Sequence, residues 1–191
     1  GQEGGFRSNI RDAAKQRQLE EGERIVKTEE TVDRLVAAAE AEFASRPGDL
    51  PTIETLCKRL LERAKPADEE RAYQIYMKTY ADVTQYRFRE LAGEIKVRQS
   101  RRKVSELKQM LDKSPDSEML QRMHSQADQE HRELELAEHK DRVANYPSDL
   151  SRRFELGKRL FAMGQYQDAI EQFQESQHDP KNRATSQIML G

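Results

Sequence analysis

Leu156-Gly157 recurs as Leu190-Gly191, 34 residues further on (156 to 190). Between the two pairs stand Gly164, Tyr166, Ala169, Phe173 and Pro180. A period of this length, with a glycine turn near its middle and a proline at its close, reads as a helix–turn–helix unit. One such unit cannot bury its apolar face alone. It has to stack on neighbours, so the recurrence commits the chain to paired helices laid side by side.

The composition agrees. Of 191 residues, 35% are apolar and 36% charged, and the mean hydropathy is -1.01. Long helices with narrow buried seams and wide wet faces suit these values better than a thick core. The nine glycines and six prolines fall at the edges of periodic stretches, and strand-like alternation is missing. The 33 basic and 35 acidic residues leave a net charge of -2, so no global field draws the chain to nucleic acid or to an acidic membrane. Cys57 is the only cysteine, which excludes a disulfide within the chain. No apolar run is long enough to span a bilayer, and no signal peptide is visible, which points to the cytoplasm. The start at Gly1 without Met, and the end on a restarted Leu-Gly pair, give the expectation of a piece of a longer protein.

Four segments follow from the pattern. Residues 1–27 are a Gly-rich linker and a polar N-terminal helix that Ser8 could cap. Residues 28–82 hold a helix with the stripe Val32, Leu35, Val36, Ala39 and Phe43, ended by Pro47-Gly48-Asp49, and then a degenerate helix pair. The first member of that pair carries Ile53, Leu56, Cys57, Leu60 and Leu61, and the second Ala72, Tyr73, Tyr76 and Tyr80. Matching Leu56 to Leu156 and Ala72 to Ala169 makes its inter-helix turn three residues longer. Residues 83–149 read as two arms of about 28 residues, roughly 42 Å each, broken at Lys113-Ser114-Pro115-Asp116. Residues 150–191 are the full repeat and the opening of another.

The two arms carry heptad spacing and should form an antiparallel hairpin. Gly93, Val97, Ser100, Val104, Leu107 and Leu111 make one seam, and Leu120, Met123, Ala127, Glu130, Leu134 and Ala137 the other. A turn near Pro115 makes facing positions sum to about 230. The basic cluster Lys96, Arg98, Arg101, Arg102 and Lys103 then faces a stretch containing Asp128, Glu130 and Glu133. That cluster could grip phosphates, but no aromatic interleaves it to stack a base, and cross-pairing between the arms accounts for it. His124, His131 and His139, with Asp128 and Glu135, fall within roughly 60° of one helix face. They are candidate metal ligands by type. A stripe diverges along the axis, however, so a polar flank beside the seam is the expectation and no metal is assigned. Cys57 is expected to be a buried small residue, and no catalytic arrangement or cofactor motif is found.

Leu150–Arg183 resembles the tetratricopeptide repeat family. Its Leu156-Gly157, Ala169, Phe173 and Pro180 match the family pattern, while Arg153, Leu160 and Ser176 depart from it. Residues 28–82 resemble the family by register alone. The resemblance implies an all-α, TPR-like helical repeat array, a right-handed α-solenoid, here interrupted by the long coiled-coil-like hairpin. It implies close helix contact at Gly157 and Ala169, with Tyr166 and Phe173 filling the space between units. It also implies a partner groove on the concave face, faced by Lys58 and Leu61 from the earlier pair and by Phe154, Lys158 and Phe161 from the later one. The expected function is a non-enzymatic protein–protein interaction scaffold. Assembly through the hairpin, and nucleic-acid binding through residues 96–103, are the alternatives.

Overall fold

The computed structural model describes residues 3–178, 180 and 183–190, excluding the side chains of 3–15, 18, 19 and 23–27. Among the described residues there are eight helices and no strand: α1 (Glu3–Ser45), α2 (Leu50–Arg63), α3 (Pro66–Val83), α4 (Tyr86–Lys113), α5 (Glu118–Asn145), α6 (Leu150–Ala162), α7 (Tyr166–Ser176) and α8 (Arg183–Leu190). The chain divides within α3 into two compact units, Gly1–Thr79 and Tyr80–Gly191. The fold class is therefore all-α.

The breaks between helices carry local chemical signals. Asp49 and Asp149 each cap the helix that begins at the following leucine. Asp49 Oδ2 accepts from Thr52 N at 3.1 Å, and Asp149 Oδ1 accepts from Arg152 N at 3.1 Å. Ser117 caps α5 in the same way, accepting from Leu120 N at 3.4 Å. Ala64 closes α2 at φ 57°, and Gly164, at φ +73°, makes the turn between α6 and α7.

In the first unit, α1 lies on α2. Its stripe buries Val36 and Ala39, whereas Leu35 stays 40% exposed. Ile53, Leu56, Cys57 and Leu60 of α2 are buried, as are Ala72 and Tyr76 of α3. Two arginines tie the helices at their edges. Arg63 bonds Asp68 through two nitrogens, at 2.7 and 2.6 Å, and reaches Asp33 of α1 at 3.0 Å. Arg71 bonds Glu40 of α1 at 2.6 Å.

Two expectations need correction here. Residues 3–8 are not a linker, and Ser8 lies inside a helix and not at its start: α1 is one helix from Glu3. No proline precedes Pro47, and a glycine inside a helix costs about 1 kcal/mol without ending it. The turn of the first helix pair is also not the longer one. Only Ala64 and Lys65 separate α2 from α3, whereas residues 163–165 separate α6 from α7. Pro66 starts α3 early, where its missing N–H is no loss, and the additional residues form one more helical turn ahead of Ala72.

In the second unit, α4 and α5 form the antiparallel hairpin, each 28 residues long. α6 lies on the base of α5, α7 pairs with α6, and α8 lies on α7. Leu136 of α5 joins Phe154, Leu156 and Leu160 of α6 and Ala169 and Phe173 of α7 in one buried cluster, flanked by Val143, Met163, Met189 and Leu190. Gly157 faces Phe173, and a β-carbon there would stand 2.7 Å from the ring. Ser176, a departure from the repeat pattern, is fully buried. It hydrogen-bonds Ser186 of α8 through the two hydroxyls at 2.9 Å.

Candidate interaction surfaces

The hairpin seam sets the geometry of every candidate residue in the second unit. On α4 the expected seam holds: Gly93 and Leu107 are buried, and Val97, Ser100, Val104 and Leu111 are half-buried. On α5 the register differs at three places. Met123 is 46% exposed, and Glu130 and Ala137 are exposed too. The seam instead runs Leu120, His124, Ala127, His131, Leu134 and Glu138, with Leu120, Ala127 and Glu138 buried.

Size complementarity explains the shift. The small residues of α4 leave room that large polar side chains of α5 fill. Glu138 lies over Gly93 and is held by Arg89 through two bonds, 3.0 and 2.9 Å long. His131 Nδ1 lies 3.0 Å from the hydroxyl of Ser100. Glu138 and His131 thus each have a polar partner across the seam, as burial demands. A ring of polar contacts closes the base. Tyr86 donates to Asp141 at 2.9 Å, Arg152 of α6 bonds Glu90 of α4 at 2.5 and 3.2 Å, and Arg142 of α5 stands 3.4 Å from the same Glu90. Arg152 also covers the ring of Tyr146, 4.5 Å from its centre.

The histidine stripe is therefore split. His131 is committed to the seam, whereas His139 turns toward α6. Among the described residues, no group of three or more His, Cys, Asp and Glu side chains is placed to hold a metal ion. The basic cluster pairs across the hairpin only in part as expected. Lys103 meets Glu130 at 3.4 Å, while Arg101 reaches Glu135 at 2.7 Å. Asp128 pairs with Arg132 on its own helix, and Glu133 accepts from Gln129.

The groove residues fare unevenly. In the first unit Lys58 is exposed and Leu61 half-buried. In the second, Phe154 is a core residue: it is 7% exposed, and its ring centre is 5.8 Å from that of Phe173. Lys158 lies over the outer face of that ring, 5.1 Å from its centre, and pairs with Glu155 at 2.6 Å. Phe161 is 46% exposed, and its ring meets that of Tyr166 edge-on at 5.3 Å. Tyr166, expected to fill space between units, is 59% exposed because it opens α7 at the outer corner of the turn. Pro180 is exposed, and Gly191 lies outside the described residues.

The concave surface of this unit lies one position along α6 from the expected one. A cleft of about 410 Å³ has α5 as its floor, with Glu135, Glu138, His139 and Arg142. Glu94, Val97, Arg98 and Arg101 of α4 form one wall, and Glu155 and Arg159 of α6 the other. Glu155 and Arg159 bond each other one helical turn apart. Burial pushes the Glu155 carboxyl up, but Lys158 and Arg159 more than offset it and hold it below the usual range. Burial, then Arg159 and Arg142, push His139 down to about 4, so it is neutral near pH 7. The floor thus holds a neutral imidazole beside the charged side chains of Glu135, Glu138 and Arg142.

Sequence reasoning missed Glu155, Arg159, His139 and Arg142 as neighbours. The available signal was the i, i+4 pair Glu155–Arg159 beside the polar face of α5. In the first unit Cys57 is fully buried. Its sulfur lies 3.9 Å from Ala72 O, and burial pushes the thiol up to about 12, so it is inert. No helix among the described residues is long and apolar enough to cross a membrane. No protein-family model, curated protein or solved structure matches the chain.

Proposed function

We propose that this chain is a non-enzymatic protein–protein interaction scaffold, a TPR-like array whose second unit takes up a partner segment of mixed charge in the cleft among α4, α5 and α6. The observation that supports it is a concave surface built by three successive helices and bordered by ionisable side chains from each. The Arg101 side chain is 65% exposed and that of Glu94 54%. The pairs Arg101–Glu135 and Arg142–Glu94 thus each have one wet end, open to an incoming segment that brings its own charge. The neutral His139 adds a hydrogen-bonding group to the floor without adding charge.

The test is a charge reversal. Arg101→Glu with Arg159→Glu turns one side of each wall acidic. Interaction partners captured by the wild type should lose most of their binding to this variant, while its circular dichroism stays that of the wild type. Partners retained at wild-type strength by a folded double variant would contradict the cleft. The parallel variant Phe154→Ala attacks the buried cluster and should act through stability instead.

A further inference from the structure

We propose that the partner segment is anchored in the cleft by one carboxylate of its own, an Asp or Glu side chain taken up by Arg142 and His139 of α5. The inference rests on the cleft reading and names the group that the cleft selects. Arg142 has the loosest hold on its counter-ions of the charged groups there. It stands 3.4 Å from Glu90 and 3.7 Å from Glu94, and its Nε is buried without a hydrogen-bond partner. Glu90 is already taken by Arg152 through two bonds, 2.5 and 3.2 Å long. The other charges are matched more closely. Glu135 accepts from Arg101 at 2.7 Å, and Glu138 from Arg89 at 3.0 and 2.9 Å. Glu155 meets Lys158 at 2.6 Å and bonds Arg159 as well. Arg98 also has a partner.

His139 lies three residues before Arg142, on the same stretch of α5. Among the described residues its ring makes no hydrogen bond, although Arg159 and Glu155 of α6 and Arg142 and Glu135 of α5 surround it with charge. A neutral imidazole donates one N–H and a guanidinium can add two, which is a donor set that a carboxylate accepts in full. Glu94 is the group that gives way. Its side chain is 54% exposed, so it can swing into water while the incoming carboxylate replaces it beside Arg142. A phosphate would bring nearly two charges into a cleft already lined by Glu94, Glu135, Glu138 and Glu155. A carboxylate brings one, the charge that leaves with Glu94.

A displayed library of random short peptides, selected on the whole chain, supplies the probe. The enriched peptides should share an Asp or Glu, and replacing it by Asn or Gln should weaken binding roughly tenfold or more. Arg142→Gln should abolish that preference, so that acid and amide peptides bind it alike. A purely structural role for Arg142 would weaken both peptides and keep their ratio. Glu94→Gln should act in the opposite sense and tighten the acidic peptide severalfold, because its competitor is gone. Enriched peptides without a shared acid overturn the proposal, as does an acid preference that survives in folded Arg142→Gln. Should Arg142→Gln fail to fold, Glu94→Gln decides: an acidic peptide held no more tightly than by the wild type contradicts the anchor. The cleft reading fails separately. Peptides that keep wild-type strength on folded Arg101→Glu with Arg159→Glu bind outside the cleft, and the anchor falls with it. A library that yields no binder contradicts both.

Discussion

The Glu138 carboxylate fills the space over Gly93, so that a β-carbon at this position would overlap Oε2. The exclusion is mutual, because Arg89 holds the carboxylate through two bonds and Glu138 is only 5% exposed. Two effects oppose each other in Gly93→Ala. Helix propensity favours alanine by about 1 kcal/mol, and overpacking costs about 1–3 kcal/mol. The carboxylate cannot move without leaving its arginine, so overpacking wins. Chemical denaturation should show a net loss of up to about 2 kcal/mol; a raised midpoint would contradict the seam.

Gly157 makes the equivalent contact between α6 and α7. Its missing β-carbon leaves room for Phe173, whose ring is 1% exposed and has no free space to enter. Gly157→Leu should cost about 1–3 kcal/mol or more by overpacking. Thermal melting that is unchanged by the substitution would show that these helices do not meet here.

The Ser176–Ser186 pair separates a hydrogen bond from simple filling. Both hydroxyls are fully buried. Ser176→Ala alone leaves the Ser186 hydroxyl without this partner and should cost about 1–2 kcal/mol. Ser176→Ala with Ser186→Ala should cost less than the sum of the single changes, because neither partner is then stranded. Additive losses across the double-mutant cycle would contradict a direct bond.

His139 gives a pH signature. Its pKa lies at about 4 in the folded chain against an ordinary 6.5. Between those values the unfolded chain holds a proton that the folded chain lacks. Stability is therefore full above about 6.5 and falls as pH drops toward 4. Glu155 is depressed, so its contribution is lost only at lower pH. His139→Gln should flatten the upper part of the acid limb, which urea midpoints measured across that window would report.

The sequence was most legible where one residue type does one job. The breaks at Asp49 and Asp149 show themselves as capping residues after a proline. The arm lengths follow from the distance between breaks, and the α4 seam from its apolar heptad. On α5 a preference for apolar residues selects Met123 and Ala137 over His124 and Glu138, and the strict 3,4 spacing selects Glu130 over His131. That preference fails on a thin seam, where glycine and serine on one arm leave space that a long polar side chain fills better than alanine. The facing rule already points there, since it sets Gly93 opposite Glu138 and Ser100 opposite His131. The cleft was less legible, because it depends on which side of α6 turns toward α5, and one residue along a helix is a turn of about 100°. Lys158 therefore lies over the ring of the buried Phe154, while Glu155 and Arg159 face the cleft.

Site-specific photo-crosslinking tests the docking surface most directly. A photoreactive residue at Val97, in the cleft wall, should capture a defined partner set. The same residue at Arg132, which pairs with Asp128 along α5, should not. Mass spectrometry of the adducts should then place the partner segment against α4 and α6. Equal capture from both positions, or capture from Arg132 alone, would contradict the account.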